Sequence, residues 1–432
     1  MARGVADVFA AKNDVTGRLS RSRLEANPTG EENGRHSGER ALRDPGQRCR
    51  VLGGSNRWAR AAVGKPATSG RPTETPQMSA PVLNSTKHAP ARGQGRGRLT
   101  FLRSSRGIAL ATVLLFAGGW LVQPQSLSPA ALSGMFPFAA ILALVALGQT
   151  LVIQQGGIDL SVPGAVSLSG VIVSYYSSSE PGMGGSGLAV AIGYTVGAAL
   201  LAGLVNGLLV SQARVAPIVV TLGMNSVLYG VDVSISGGTP VQVPESLSYF
   251  VDYKILGVTS LIYIAIGMTV LVAFLVKKTV FGRRFEAVGA SARAARAAGV
   301  VADRYQIAAY AGASVLYSMA GIFLAGLMQL PSAFQGDSYL MPSIAAVVLG
   351  GTSLFGGTGN LAATVIAALF LTQLQQLVLT TGSSVGVQFL FQGGAIIVGV
   401  GVYSVRWSRL RDVLHRFRAR RLAPGSASGM RS

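Results

Sequence analysis

Three polar side chains stand at helical spacing in an otherwise apolar stretch of the sequence. Thr221, Asn225 and Tyr229 are four residues apart, so on an α-helix they would share one face. Hydroxyl, amide and phenol groups exchange hydrogen bonds with polyhydroxylated solutes, so this face could line a transport path. The same groups could instead bond to a neighbouring helix, a common arrangement inside membranes. Gln388 and Gln392, also four residues apart, are open to the same two interpretations.

A single acidic residue occupies a break between two apolar runs. Asp159 follows Gly156 and Gly157 and precedes Ser161 and Pro163. An acidic residue near a break in a membrane helix is by default a functional hypothesis, here a further part of a transport path. Alternatively, Asp159 or Ser161 caps the next helix, in which Pro163 suits the first turn. The sequence leaves both interpretations open.

Residues that could perform enzymatic chemistry are scarce in the apolar part of the sequence. The only cysteine is Cys49, and the three histidines, His36, His88 and His415, stand in polar flanking segments. No nucleotide-binding P-loop pattern, zinc-protease pattern or serine–histidine–aspartate set can be assembled. The sequence therefore predicts a protein that has no catalytic residues, no metal site and no bound cofactor.

The composition indicates an integral membrane protein. Apolar residues make up 49% of the 432 residues and charged residues only 12%, and the mean hydropathy is +0.45. Soluble proteins average about 25% charged residues, so this chain could not cover a water-exposed surface. The net charge of +20 is concentrated in three polar segments, 1–106, 277–304 and 406–432. A nucleic-acid-binding protein would place its basic residues on a folded face, so that class is disfavoured.

Ten apolar runs are long enough, or nearly so, to cross a bilayer as helices, which takes about 20 residues. The predicted fold is an all-α polytopic membrane protein of about ten transmembrane helices. The third and eighth runs are short and interrupted by glycine, as broken or re-entrant helices are. The predicted spans are 107–123, 134–154, 162–177, 187–211, 216–236, 256–276, 306–329, 340–356, 361–381 and 385–405.

Lysine and arginine in the loops predict the orientation. With the N-terminus inside, ten spans return the C-terminus to the cytoplasm, and both the long basic loop and the basic tail 406–432 lie inside. Residues 1–106 are predicted to be a disordered basic extension, and residues 107–405 the transmembrane domain. Because Met78 offers a second start, we hypothesise that residues 1–77 are a dispensable extension.

Two loops differ from ordinary connections. In the basic loop, residues 290–298 favour a short alanine-rich helix, with Gly289 and Gly299 as breakers on either side. Such a helix could fit a groove on another protein, or the loop could lie against anionic lipid. The segment 345–359 is glycine-rich, which allows tight turns and close backbone approach. Its glycines are Gly350, Gly351, Gly356, Gly357 and Gly359.

Four stretches together resemble the permease subunits of bacterial ABC importers for monosaccharides of the ribose, xylose, arabinose and galactoside type. In order, they are GQTLVIQQGGIDLSV (148–162), VAPIVVTLGMNSVLYG (215–230), TVFGRRFEAVGASARAARAAGV (279–300) and IAAVVLGGTSLFGGTG (344–359). The resemblance covers about residues 105–405. It implies a multi-pass permease of the cytoplasmic membrane that forms the path for a pentose or hexose.

The same resemblance implies partners and contact residues. A second permease copy, an ATP-binding subunit that uses the ATP and an extracytoplasmic sugar-binding protein would complete the importer. The chain departs from the family pattern at Ser291, where Asn is frequent, and at Tyr229, where Arg is usual. The residues implied as contacts to the ATP-binding subunit are Gly282, Arg283, Gly289, Ala294, Ala295 and Gly299.

Other functions remain open at this point. A related ABC permease could carry a signal-sugar derivative or branched-chain amino acids. An ion-driven secondary transporter with broken helices is less favoured, because few charged residues besides Asp159 and Asp232 stand within the apolar body. An intramembrane hydrolase is disfavoured because no catalytic set can be assembled.

Overall fold

The structure, a computed structural model, describes residues 95–178 and 187–382 together with scattered positions between 384 and 397. Within these residues it is a bundle of helices with a single two-stranded hairpin, which confirms the predicted all-α membrane fold. Nine helices match the first nine predicted spans. The tenth span, 385–405, falls outside the described residues except at scattered positions. The nine are α1 (Gly95–Val122), α2 (Pro129–Gln154), α3 (Val162–Ser177), α4 (Leu188–Ser211), α5 (Pro217–Ser236), α7 (Ser260–Lys278), α10 (Ala302–Met328), α11 (Asp337–Leu349) and α12 (Leu361–Thr380).

Shorter elements occupy the connections. A 3₁₀ turn, Pro124–Leu127, precedes α2, and β1 and β2 form an antiparallel hairpin that the sequence did not predict. Among the described helices, seven are long and apolar enough to cross a membrane, and α3 and α11 are shorter, with 16 and 13 residues. The remaining elements are α6 (Glu245–Asp252), β1 (Lys254–Ile255), β2 (Val258–Thr259), α8 (Val280–Ala290) and α9 (Ala292–Ala297).

Several predicted helix ends differ from the structure, among them those of α1, of α11 and of the short helix in the basic loop. Helix α1 begins at Gly95 rather than at 107, because arginine and leucine in this polar segment are good helix formers and extend the helix past the apolar run. Helix α11 ends at Leu349 rather than at 356, where the glycine-rich turn begins. Gly289 does not break the helix in the basic loop but lies inside α8, and the break falls at Ser291, whose hydroxyl accepts the Ala294 N–H at 3.3 Å and caps α9.

Helix α10 is the central helix and packs against α2, α3 and α4. Its contact with α4 depends on glycine. A Cβ atom at Gly203 would lie 2.6 Å from Ser314 Oγ and 2.7 Å from Tyr310 O, and one at Gly207 would lie 2.7 Å from Ile307 Cα. The two backbones therefore approach as closely as small-residue pairs permit in membranes.

Helices α3 and α11 begin deep in the bundle and run in opposite directions. The N–H of Gly336, just before α11, donates to Ser167 Oγ of α3 at 2.9 Å. Gly321 of α10 packs on the α3 backbone at Val166. At a rise of 1.5 Å per residue, Gly321 lies about 28 Å along α10 from the first residue of that helix. Helix α11 ends beside the start of α12, where a Cβ at Gly350 would lie 2.7 Å from Thr364 Cα. The two predicted short spans are thus half-helices, too short to cross the membrane, and both begin at the same depth in the bundle.

We expect Gly203→Val to destabilise the bundle by about 1–3 kcal/mol, because the added side chain would overlap α10 backbone. Thermal unfolding in detergent, followed by tryptophan fluorescence, measures the effect. Gly193→Val is the matched control, since it lies on the same helix and a Cβ there would meet nothing within 4 Å. Equal melting temperatures for the two variants would contradict the close packing of α4 on α10.

Candidate functional site

The polar face of α5 lies against the start of α3. Thr221 Oγ1 accepts the Leu160 N–H at 2.9 Å, and Asn225 Oδ1 accepts the Gly164 N–H at 2.8 Å. The first amides of a helix have no partner within that helix, and inside a bilayer water cannot replace one. Two of the predicted path residues therefore make the interhelical hydrogen bonds that the alternative interpretation proposed.

Asp159 organises the turn that leads into α3. Its Oδ1 accepts both the Ser161 N–H at 2.9 Å and the Ser161 hydroxyl at 2.6 Å. Asn206 of α4 donates its amide to Ser161 Oγ at 3.1 Å. All three side chains are fully buried, and Asp159 Oδ2 has no hydrogen-bond partner within the part of the chain that the structure describes. Asp159 thus accepts from the residue before α3 and from no amide of α3 itself, and the Ser161 side chain makes no capping bond to α3 either.

Tyr229 has a different environment from Thr221 and Asn225, the other two polar residues on this face of α5. Its hydroxyl donates a hydrogen bond to the Asp337 carboxylate at the first turn of α11, and its ring packs on Phe334 with centroids 5.0 Å apart. Tyr229 and Asn225 are partly exposed, whereas Thr221 is fully buried. Asn225, Tyr229 and Asp337 thus present an amide, a phenol and a carboxylate near the level where both half-helices begin.

Some partners in this site were missed from the sequence, and some predicted residues cannot be placed. Asp337 was not among the predicted path residues, although an acidic residue in the first turn of a half-helix is a signal that could have been used. Asn206, a polar residue within the predicted span 187–211, was not among the predicted path residues either. Gln388 and Gln392 lie outside the described residues.

The residues implied as contacts to an ATP-binding subunit lie on α8, α9 and the turns beside them. Thr279 Oγ1 accepts the Gly282 N–H at 3.1 Å and caps α8, and Gly282 itself sits tightly against the end of α7. Arg283, Ala294 and Gly299 are exposed, so they are free to meet another protein. By contrast, Ala295 is buried in a small apolar cluster, which is completed by Val288 and Ala302.

The glycine-rich turn lies against this segment. Gly356 and Gly357 both have φ of +87°, a conformation that favours glycine, and the Gly357 N–H donates to Gln154 O at 2.9 Å. Gly289 of α8 contacts the same Gln154 carbonyl so closely that a Cβ atom would overlap it, and Gly359 abuts the Gln154 side chain. The end of α2, the basic loop and the glycine-rich turn therefore meet at one point, which we call the glycine junction.

Among the described residues, no group of three or more histidine, cysteine, aspartate or glutamate side chains is placed to hold a metal ion. The charged contacts of the basic loop are ion pairs between Lys277 and Glu286 and, at 2.8 Å, between Arg296 and Asp303. The described residues thus offer two features. Hydrogen-bonding groups lie where α3 and α11 begin, and an exposed surface rich in arginine and alanine lies on α8 and α9 at one end of the bundle.

Replacing Thr221 by Val should lower the stability by about 1–3 kcal/mol, because the partly buried Leu160 N–H would lose its acceptor while the shape of the side chain is kept. Thr221→Ser keeps the hydroxyl and is the matched control. Thermal unfolding in detergent measures both variants. If Thr221→Val had the same melting temperature as the unsubstituted chain, the hydrogen bond would not be stabilising the start of α3.

Comparison with known proteins identifies the family. A family model described as the branched-chain amino acid transport system permease component matches residues 131–400. Similar proteins include a probable ABC transporter permease protein of Sinorhizobium fredii, which is 35% identical over 73% of this chain and 93% of its own length. The autoinducer 2 import system permease protein LsrC of Escherichia coli is 33% identical over 74% of this chain and 91% of its own length. The L-arabinose ABC transporter permease protein AraH of Azospirillum brasilense is 30% identical over 75% of this chain and 94% of its own length.

No solved structure matches the chain significantly. The family model nevertheless spans more than half of the 432 residues, and the relatives match along nearly their whole length. The helices that are apolar enough to cross a membrane agree with this assignment. The chain therefore belongs to the family of the branched-chain amino acid transport system permease component and is a multi-pass permease of the ABC transporter class.

Proposed function

We propose that the chain is the membrane-spanning subunit of an ABC importer and forms the path for a monosaccharide, a pentose or hexose. The observation that carries this proposal is the similarity, over more than 90% of their length, to permeases named for arabinose and for autoinducer 2 import. The autoinducer 2 relatives favour a second candidate substrate, a signal-sugar derivative. The family description keeps branched-chain amino acids as a further alternative.

The proposed path runs past the partly exposed face of α5. Asn225 and Tyr229, together with Asp337, supply hydrogen-bond donors and acceptors that suit sugar hydroxyls. Thr221, Asp159 and Ser161 are fully buried and form the wall behind this face. Gln388 and Gln392 remain candidates for the path from their spacing.

The rest of the importer is supplied by other subunits. The chain binds no cofactor or metal of its own, has no catalytic residue and does not bind nucleic acid. ATP is used by a separate ATP-binding subunit that docks on the basic loop, and an extracytoplasmic sugar-binding protein delivers the solute on the other side. A second permease copy covers the apolar face of α5, where Val219, Leu222 and Val227 are exposed.

The proposed mechanism is a shift between conformations that open to opposite sides. ATP binding moves the ATP-binding subunits, and the exposed surface of α9 moves with them. A ligand shifts such an equilibrium only by its difference in affinity for the two states, so the solute-binding groups must differ between them. Tyr229 and Asp337 join α5 to α11, and their hydrogen bond is one contact that can be made in one state and broken in the other.

Reconstitution tests the proposed function. Vesicles that contain the chain, the ATP-binding subunit and the sugar-binding protein should accumulate one member of a panel of arabinose, ribose, xylose, galactose, autoinducer 2 and leucine, and only when ATP is present. The control is the chain alone in the same vesicles. Accumulation of solute against a gradient by the chain alone would refute the proposal.

Introducing a charge into the docking helix should abolish uptake. Ala294→Glu places a carboxylate on the exposed surface of α9, and we expect at least a tenfold loss of uptake in cells, with an unchanged amount of protein in the membrane. Ala213→Glu is the matched control, since Ala213 is also exposed but lies in the loop between α4 and α5. Normal uptake by the Ala294 variant would count against the assignment of α9 as the docking helix.

A further inference from the structure

Phe355 is the most exposed large hydrophobic side chain in the described part of the chain, at 95% of its surface. It lies in the glycine-rich turn between α11 and α12, with Leu354 partly exposed beside it. The distribution of lysine and arginine puts this end of the bundle on the cytoplasmic side. An aromatic ring held in water next to a proposed docking surface calls for a partner, because buried aromatic anchors dominate binding at interfaces.

The turn around Phe355 has a defined conformation. The Ser353 N–H donates to Thr358 O at 3.2 Å, the Gly356 N–H donates to Ser353 O at 3.1 Å, and the Phe355 N–H donates to Ser353 Oγ at 3.3 Å. Gly356 and Gly357 adopt the positive φ angles that this turn requires. The ring is thus presented on a preorganised turn, which reduces the entropy lost on binding.

The turn and the basic loop form one continuous surface. A Cβ at Gly356 would lie 2.6 Å from Gly289 O, and one at Gly357 would lie 3.0 Å from Ala290 Cα, so the turn packs directly on the end of α8. The side-chain amide of Gln155 donates to Phe285 O at 2.9 Å and fixes α8 to the segment after α2. Phe355 therefore borders the helix pair that carries the proposed contacts to the ATP-binding subunit.

We infer that Phe355 is a second docking residue, which inserts into an apolar pocket of the ATP-binding subunit beside the groove that receives α9. This inference rests on the proposed function. A second contact point has a mechanical consequence. Because the turn continues from α11 and its Gly357 N–H donates to Gln154 O, a force on Phe355 acts on the half-helix whose other end carries Asp337 and also on the end of α2. A force on α9 acts through α8 on the end of α2.

The affinity of the permease for its ATP-binding subunit tests the inference. With the full chain in nanodiscs, Phe355→Ala should weaken binding of the ATP-binding subunit at least tenfold, without a change in melting temperature. Leu256→Ala is the matched control, because Leu256 is 93% exposed and lies in the hairpin turn on the opposite side of the predicted membrane. The affinity of this variant for the ATP-binding subunit should stay within twofold of that of the unsubstituted chain. Unchanged affinity of the Phe355 variant would overturn the inference.

A fluorescent variant separates protein docking from lipid anchoring. Phe355→Trp should bind the ATP-binding subunit, and its emission, taken as the difference from the unsubstituted chain with its three tryptophans, should shift to the blue on binding. Emission that is already blue in empty nanodiscs and does not respond to the subunit would show that the ring is anchored in lipid, which overturns the inference. If the unsubstituted chain bound no ATP-binding subunit, the proposed function would fail as well, whereas full affinity of Phe355→Ala overturns only the role of Phe355.

Discussion

Every backbone amide within a bilayer needs a partner from the protein, and the break between α2 and α3 shows how this chain meets that requirement. In the segment after Gln154, the amides of Gln155, Gly156 and Gly157 still donate to carbonyls of α2, and the helical pattern ends there. The amides of Leu160, Ser161 and Gly164, which follow, are satisfied by side chains, namely Thr221 of α5, the Asp159 carboxylate and Asn225 of α5, respectively. The hydroxyl of Thr221 and the amide of Asn225 therefore stabilise the start of the broken helix, and the partly exposed Tyr229 follows them on the same face of α5.

Glycine makes the second part of the architecture possible. Where α4 meets α10, it lets two helix axes approach closely, and at the glycine junction it lets three backbone segments meet without side chains between them. Such contacts have little room to deform, because a side chain cannot shift to absorb a displacement. The glycine junction is thus suited to pass a movement of the basic loop to the ends of α2 and α11.

The fold was largely predictable from the sequence, and the site only in part. Hydropathy located nine helices because a span must be apolar along its whole length, and the short third and eighth runs indicated half-helices. The choice between path and packing for Thr221 and Asn225 could not be made, because their partners lie 61 residues away in the sequence and pairing at that distance leaves no local pattern. Asp337 was missed as a site residue for a similar reason, since its partner Tyr229 is 108 residues away.

The two ends of α11 connect these observations. At its start, Asp337 is bonded to Tyr229 beside the proposed path, and at its end the glycine-rich turn is bonded to α2 and packed on the basic loop. A helix of 13 residues, about 20 Å long, thus spans the distance between the surface that faces the cytoplasm by charge and the level where the half-helices start. Displacement of the glycine-rich turn can therefore reach the Tyr229–Asp337 contact along α11, while the Gly357–Gln154 hydrogen bond carries the same displacement to the end of α2.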